Sequence, residues 1–155
     1  MEAHEYNVQI NWNQERKGLM CSPELREAAP TGQTCIEVAT PPQFEKGHPG
    51  IWSPEHLFTA SVSSCLMTTF LAIAEYSKLE FSNFSCNSKG ILDKEDKRFV
   101  VSEVILEPVI TIKNEKDRDK AMRVLEKSEK ACLISNSIKS KITMNSEVLV
   151  KELVG

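Results

Sequence analysis

The chain has no CxxC pair, no HxxxH pair and no positively charged start followed by an apolar run. The first absence, with an odd total of five cysteines (Cys21, Cys35, Cys65, Cys86, Cys132), argues against a disulfide framework and against a zinc site. The scattered His4, His48 and His56 add no metal-binding pattern, so neither a metal nor a cofactor is expected. The absent leader pattern predicts no signal peptide, and a cytoplasmic protein with reduced thiols is the expectation. Aromatics are scarce at 6% and the net charge is only −3, which leaves no basic, aromatic-laced patch for nucleic acid. At 155 residues the chain fits one domain, 1–155, with enough length to bury a core.

Charge is also missing locally. Residues 57–74 carry none, and apolar side chains fall on every face of that stretch. Ser53 as N-cap, Pro54 at the first helical position and Glu55 beside the positive end of the dipole predict a helix over residues 53–78. A helix of about this length could span a bilayer. Its many small and hydroxyl residues, among them Thr59, Ser61, Ser63, Ser64, Thr68 and Thr69, suit close surroundings of protein instead. The expectation is a long central buried helix and no membrane.

Around it the pattern is mostly strand. Tyr6, Val8, Ile10 and Trp12 alternate and predict a half-buried strand, with residues 13–18 as a polar turn and 19–21 as a short return. Residues 23–32 read as loop and 35–39 as strand. The Pro- and Gly-rich segment 40–55 reads as a long loop leading to the helix, a candidate functional loop by its length. Residues 81–92 and 98–113 predict two strands joined by the charged turn 93–97, with an irregularity near Pro108. Ala121, Val124, Leu125 and Ser128 fall at helical spacing among charges and predict an amphipathic helix, which residues 132–137 interrupt. Residues 140–150 read as a last strand. The order describes an α+β domain without repeats.

Two thiols stand out by position: Cys65 in the middle of the long helix and Cys132 at the end of the amphipathic one. Free cysteine is often only a small buried hydrophobe, and Cys21, Cys35 and Cys86 are read that way. For Cys65 and Cys132 the motifs decide. The run PEHLFTASVSSCLMTTF, followed by KACLISNSI, resembles the family of osmotically inducible protein C (OsmC) and the organic hydroperoxide resistance proteins (Ohr). Pro54, Glu55, Leu57, Ala60, Ser64 and Cys65 match the first family motif; Cys132, Ser135 and Asn136 match the second, C-P-x-S-N.

The resemblance implies an OsmC-like fold, with antiparallel and mixed sheets packed around the long helix of an intertwined homodimer. It implies an antioxidant, thiol-dependent peroxidase of the oxidative stress response. Cys65 is then the peroxidatic nucleophile, Cys132 the resolving cysteine, and Glu55 the carboxylate that holds an active-site arginine. Arg16, in the QERKG turn, is the best match for that arginine, and Arg26 is the substitute. Leu133 stands where the family motif has proline, and the glycines expected before the arginine are absent, which points to the broader OsmC-like branch.

A thiol buried in mid-helix is inert unless something stabilises its thiolate, and the expected agent is a guanidinium. Glu55 itself would lie about 15 Å away along a straight helix. Leu57, Phe58, Leu66, Met67 and Phe70 are expected to line an apolar site for an organic hydroperoxide, with an external dithiol as reductant. The alternatives are a redox-sensing or ligand-binding protein using the same two cysteines, and an interaction protein with inert buried thiols.

Overall fold

The computed structural model describes residues 1–151; residues 152–155 lie outside the description. The chain forms two compact units, one from Met1 to Leu57 and one from Phe58 onward.

In the first unit, strands β1 (Gln9–Gln14), β2 (Lys17–Cys21) and β3 (Cys35–Ala39) form an antiparallel sheet in that order. The β1–β2 turn is tighter than the polar run suggests. Gln14 pairs with Lys17, so Glu15 and Arg16 alone close it, with Glu15 at φ 51°. The Tyr6–Trp12 alternation does not give a half-buried strand: every residue of β1 is exposed, Trp12 at 76%. β1 is the edge strand of this sheet.

Residues 23–28, read as loop, form a short helix, α1 (Pro23–Ala28). The Ser22 hydroxyl accepts a hydrogen bond from the Leu25 amide at 3.5 Å, Pro23 takes the first helical position and Glu24 sits in the first turn. The long loop is ordered by its own turns: Phe44 N–H donates to the Pro41 carbonyl and Gly47 N–H to that of Phe44, each at 3.0 Å. Gly47 is required there, because a Cβ would stand 2.0 Å from the Pro41 carbonyl oxygen.

One expectation about the cysteines is corrected in this unit. Cys21 and Cys35 are direct partners at the end of the β2–β3 ladder, with Cα atoms 4.3 Å apart, and they form a disulfide. That spacing is close to a non-hydrogen-bonded antiparallel pair, which brings opposed side chains nearest. The other three cysteines are free.

Helix α2 (Pro54–Tyr76) begins where the capping signals place it: the Ser53 hydroxyl accepts from the His56 amide at 3.2 Å and its carbonyl from the Leu57 amide at 3.0 Å. By length and composition α2 could cross a membrane. One stripe of it (Val62, Cys65, Leu66, Phe70, Ala74) is buried in the core of the second unit. Val62 and Leu66 pack with Val104 and Leu106, and Phe70 and Ala74 with Ile110, Ile112, Leu125 and Val148. The helix is therefore not buried all round. Met67 and Leu71 remain about 40% exposed (39% and 42%).

The second sheet is built on a long hairpin, β4 (Asn83–Glu95) and β5 (Arg98–Ile112), closed by Asp96 and Lys97, both at positive φ as a twist-matched two-residue turn requires. Gly90 of β4 admits α2 closely, since a Cβ there would lie 2.2 Å from the Thr59 hydroxyl. The register irregularity falls between Ile91 and Leu92, not at Pro108. The predicted last strand is two, β6 (Lys141–Met144) and β7 (Glu147–Val150), both parallel to β5. Pro108 explains the break. Leu106 presents its carbonyl to Asn145 at 2.8 Å, and Pro108, two residues on and facing the same edge, has no N–H to offer between the two short strands. Helix α3 (Arg118–Ala131) follows β5 and buries Ala121, Val124, Leu125 and Ser128, the four positions that its spacing selects.

Candidate functional site

The second unit brings Cys65 and Cys132 together by two different devices. Cys65 belongs to the buried stripe of α2, with 9% of its surface accessible. Cys132 ends α3. Its backbone leaves the helix at φ −65°, ψ 112°, its N–H reaches back to the Glu129 carbonyl at 3.3 Å, and its side chain is fully buried. The turn beyond it is pinned by its own polar residues. Asn136 N–H donates to the Cys132 carbonyl at 3.0 Å, the Asn136 amide group caps the Lys130 carbonyl at 3.0 Å, and the Ser137 hydroxyl donates to the Leu133 carbonyl at 2.6 Å. Asn136 of the second motif thus closes the end of α3 and fixes where Cys132 points.

The surroundings push the two thiols in opposite directions. Burial pushes the Cys65 thiol up, but hydrogen bonds from the Cys132 thiol, the Ile134 amide, the Thr69 hydroxyl and the Leu133 amide outweigh it, and the net displacement is downward. Thr69 stands one turn along α2, its hydroxyl oxygen 3.9 Å from the Cys65 sulfur. Burial likewise pushes the Cys132 thiol up, and the neighbouring Cys65 adds to it, against hydrogen bonds from Ser135. The Ser135 hydroxyl is itself buried and makes no conventional hydrogen bond, which leaves it to the sulfur beside it. The two shifts are opposed, the Cys65 thiol lowered and the Cys132 thiol raised.

The other predicted residues are distributed as follows. Arg16 lies in the first unit, exposed in the β1–β2 turn, its carbonyl accepting from Thr40 N–H at 3.2 Å. It lines a shallow depression with Glu15, Lys46, Gly47 and His48, where the Glu15 carboxylate stands 3.6 Å from His48 Nε2. Arg26 is exposed in the last turn of α1. Glu55 is half-buried in the first turn of α2. Of the five apolar wall residues, Leu66 and Phe70 have no accessible surface and belong to the core; Leu57, Phe58 and Met67 present surface. Sequence reasoning missed Thr69 as a neighbour of the Cys65 sulfur. The signal for Thr69 was its i+4 spacing from Cys65.

Known proteins show the same architecture. Over nearly its whole length the chain resembles an OsmC-like protein of unknown function from Vibrio cholerae (20% identity, TM-score 0.78, covering 93% of this chain and 99% of that one). It also resembles the organic hydroperoxide resistance protein OsmC of Legionella pneumophila (21% identity, TM-score 0.72, 97% and 100% covered). In sequence it is 22% identical to the uncharacterised protein YmaD of Bacillus subtilis, over 97% of both chains. Residues 47–147, which hold both cysteines, match the family described as OsmC-like protein. With both motifs, the fold and this match in agreement, the chain belongs to the OsmC-like protein family.

Proposed function

We propose that this protein is a two-cysteine peroxidase that reduces organic hydroperoxides in the cytoplasm, with Cys65 as nucleophile and Cys132 as resolving thiol. The observation that carries the proposal is the meeting of two free, buried thiols, Cys65 on α2 and Cys132 at the end of α3, in surroundings that push them in opposite directions. When neighbouring titratable groups are driven apart, each is fitted to one role. Cys65 is the sulfur ready as thiolate, and Cys132 is the protonated one beside it.

The chemistry balances in three steps. The Cys65 thiolate attacks the terminal peroxide oxygen; the S–O bond forms, the O–O bond breaks, and the departing alkoxide takes a proton to leave as the alcohol. Cys65 is then a sulfenic acid. The Cys132 sulfur displaces its hydroxyl, giving the Cys65–Cys132 disulfide and water. An external dithiol restores both thiols by exchange and leaves as its own disulfide. Arg16, with Glu55 to orient it, is assigned to the peroxide oxygens, for which a planar guanidinium offers paired donors. Leu57, Phe58 and Met67 supply apolar surface that favours an organic over an inorganic peroxide.

The working form is a homodimer in this proposal. Its support is the apolar surface left open on the single chain: Tyr6 and Val8 just before β1, Ile10 and Trp12 on it, and Met67 and Leu71 on α2. The Legionella relative is described as an organic hydroperoxide resistance protein, which agrees with this substrate class.

The deciding experiment is peroxide titration of the reduced protein followed by intact mass. Wild type should lose two hydrogens at residues 65 and 132, Cys132→Ser should gain oxygen, and Cys65→Ser should not react at that site. A wild type that leaves both thiols untouched would sink the proposal. A redox-sensing role has its own support in the Cys21–Cys35 disulfide. A sensor would be oxidised once per chain, whereas the peroxidase consumes many equivalents when dithiol is supplied.

A further inference from the structure

We propose that the Cys21–Cys35 disulfide is a second thiol–disulfide exchange site, a latch that an external dithiol opens to release α1 and the segment before β1. The latch lies wholly within the first unit and owes nothing to the chemistry at Cys65. Three observations carry it. The pair sits at the very end of the β2–β3 ladder, where the register stops at Cys21 opposite Cys35. Opening the bond therefore leaves the pairs from Lys17 to Met20 in place and frees what lies beyond them. Cys35 keeps accessible surface, so a thiol in solution can reach the bond, although Cys21 is only 9% exposed.

The second observation is how little else holds α1. Among the described residues it buries none, and Leu25, its large apolar side chain, is 56% exposed. Six residues are too few for a helix to persist in water unaided. The hydrogen bonds that shape it stay inside the loop: Arg26 N–H donates to the Ser22 carbonyl at 3.1 Å and Ala29 N–H to that of Leu25 at 2.9 Å. The cap, Ser22, is the residue next to Cys21, so fraying at the end of the ladder takes the cap away. Third, α1 reaches the segment before β1, where the Glu24 carboxylate accepts from Asn7 N–H. Tyr6 and Val8 flank that amide and are exposed. The state of the disulfide thus sets whether this apolar segment is tethered.

Opening is a balanced exchange. A thiolate of the dithiol attacks one sulfur of the pair; a mixed disulfide forms, the Cys21–Cys35 bond breaks, and the other sulfur leaves as a thiolate and takes a proton. The second thiol of the reductant then displaces the remaining cysteine and departs as its own disulfide. Closing is the reverse exchange with an oxidised dithiol.

The test titrates the full-length Cys65→Ser/Cys132→Ser protein with reduced and oxidised dithiothreitol, without denaturant. Differential alkylation with peptide mass reads the pair, and amide hydrogen exchange reads the backbone. In that background the outcome is the same whether or not the protein consumes peroxide. The pair should open reversibly, and the Arg26 and Ala29 amides should then exchange at least about tenfold faster, while residues 17–20 stay within about threefold. Cys21→Ser/Cys35→Ser should show the open pattern in both buffers. Glu24→Ala should speed exchange of the Asn7 amide and leave the opening of the pair unchanged.

A pair that stays bonded in reduced dithiothreitol until denaturant is added would overturn the latch and make the disulfide a fixed staple. So would a pair that opens with the α1 amides still protected, or one whose opening releases the whole ladder. An Asn7 amide indifferent to Glu24→Ala would overturn the tether to the segment before β1.

Discussion

The protein holds two cysteine pairs, and they are made by opposite logic. Cys21 and Cys35 face each other across an antiparallel ladder. The register sets their distance, and they are bonded. Cys65 and Cys132 come from a helix interior and a helix end, 67 residues apart in sequence (132 minus 65), and are free thiols in contact. Their neighbourhood is lopsided in its outcome: the surroundings of Cys65 lower its thiol, while burial and the neighbouring thiol raise Cys132 against the hydrogen bonds from Ser135. Proximity is enough to make a disulfide. A reaction with a direction also needs an asymmetry, and only the second pair has it.

The strongest way to break this comparison is to remove one sulfur from each pair. Cys65→Ser should lower peroxide consumption by at least about a thousandfold, because the thiol that remains, Cys132, is buried and pushed towards its protonated form. A double Cys21→Ser/Cys35→Ser variant should retain peroxide consumption to within a fewfold. If the two variants were equally impaired, the pairs would be one redox system and the comparison would fail. Cys132→Ser comes next. Its first oxidation, followed by peroxide loss in a single turnover, should survive within about tenfold, since the loss is of one hydrogen-bond donor to the sulfur. Steady turnover with dithiol should fail under excess peroxide, as Cys65 climbs past the sulfenic acid to irreversible states visible by mass.

The symmetric pair should reveal itself in stability. Its disulfide closes a loop of 14 residues of separation that contains α1. Opening it, by the double serine variant, should cost about 3 kcal/mol in urea unfolding, and the loss should appear in probes of the first unit such as Trp12 fluorescence. A cost near zero would mean that the β2–β3 ladder holds this loop unaided.

How much of this was legible in the sequence depends on the range of the interaction. Local periodic signals read well. The spacing of Ala121, Val124, Leu125 and Ser128 selected the buried face of α3, and Ser53-Pro54-Glu55 marked the start of α2. The same three-residue signature at Ser22-Pro23-Glu24 starts α1, which was missed because six residues are too few to show a period. Signals that depend on register did not read. The Cys21–Cys35 bond needs β2 and β3 to be adjacent and in phase, and nothing in a spacing of 14 says so. The apolar stripe of β1 reads correctly as strand but not as exposed, since burial depends on what covers it. In the site, the two cysteines were legible as motif positions. Thr69, whose hydroxyl lies 3.9 Å from the Cys65 sulfur, was not, because hydroxyl residues recur all along α2.

The smallest predicted effect is also the sharpest test of asymmetry, because its sign changes with pH. The Cys65 thiol is lowered in the folded protein, so between its folded value and the ordinary thiol value the unfolded chain binds more protons, and stability rises with pH across that window. This contribution is present above the unfolded value and lost as pH falls through the folded one. The Cys132 thiol is raised, so its contribution is complete below the ordinary thiol value and is lost as pH climbs from there towards the folded value. Together they give a maximum of stability near the pH at which an unperturbed thiol titrates. Subtracting the urea-unfolding profile of Cys65→Ser/Cys132→Ser from that of wild type, both reduced, cancels the lysines, tyrosines and the symmetric pair and leaves this curve. Cys65→Ser alone should remove the rising limb, and Cys132→Ser alone the falling one. A monotonic difference curve in the reduced wild type would mean that the two sulfurs titrate alike, and the distinction between the two pairs would lose its physical basis.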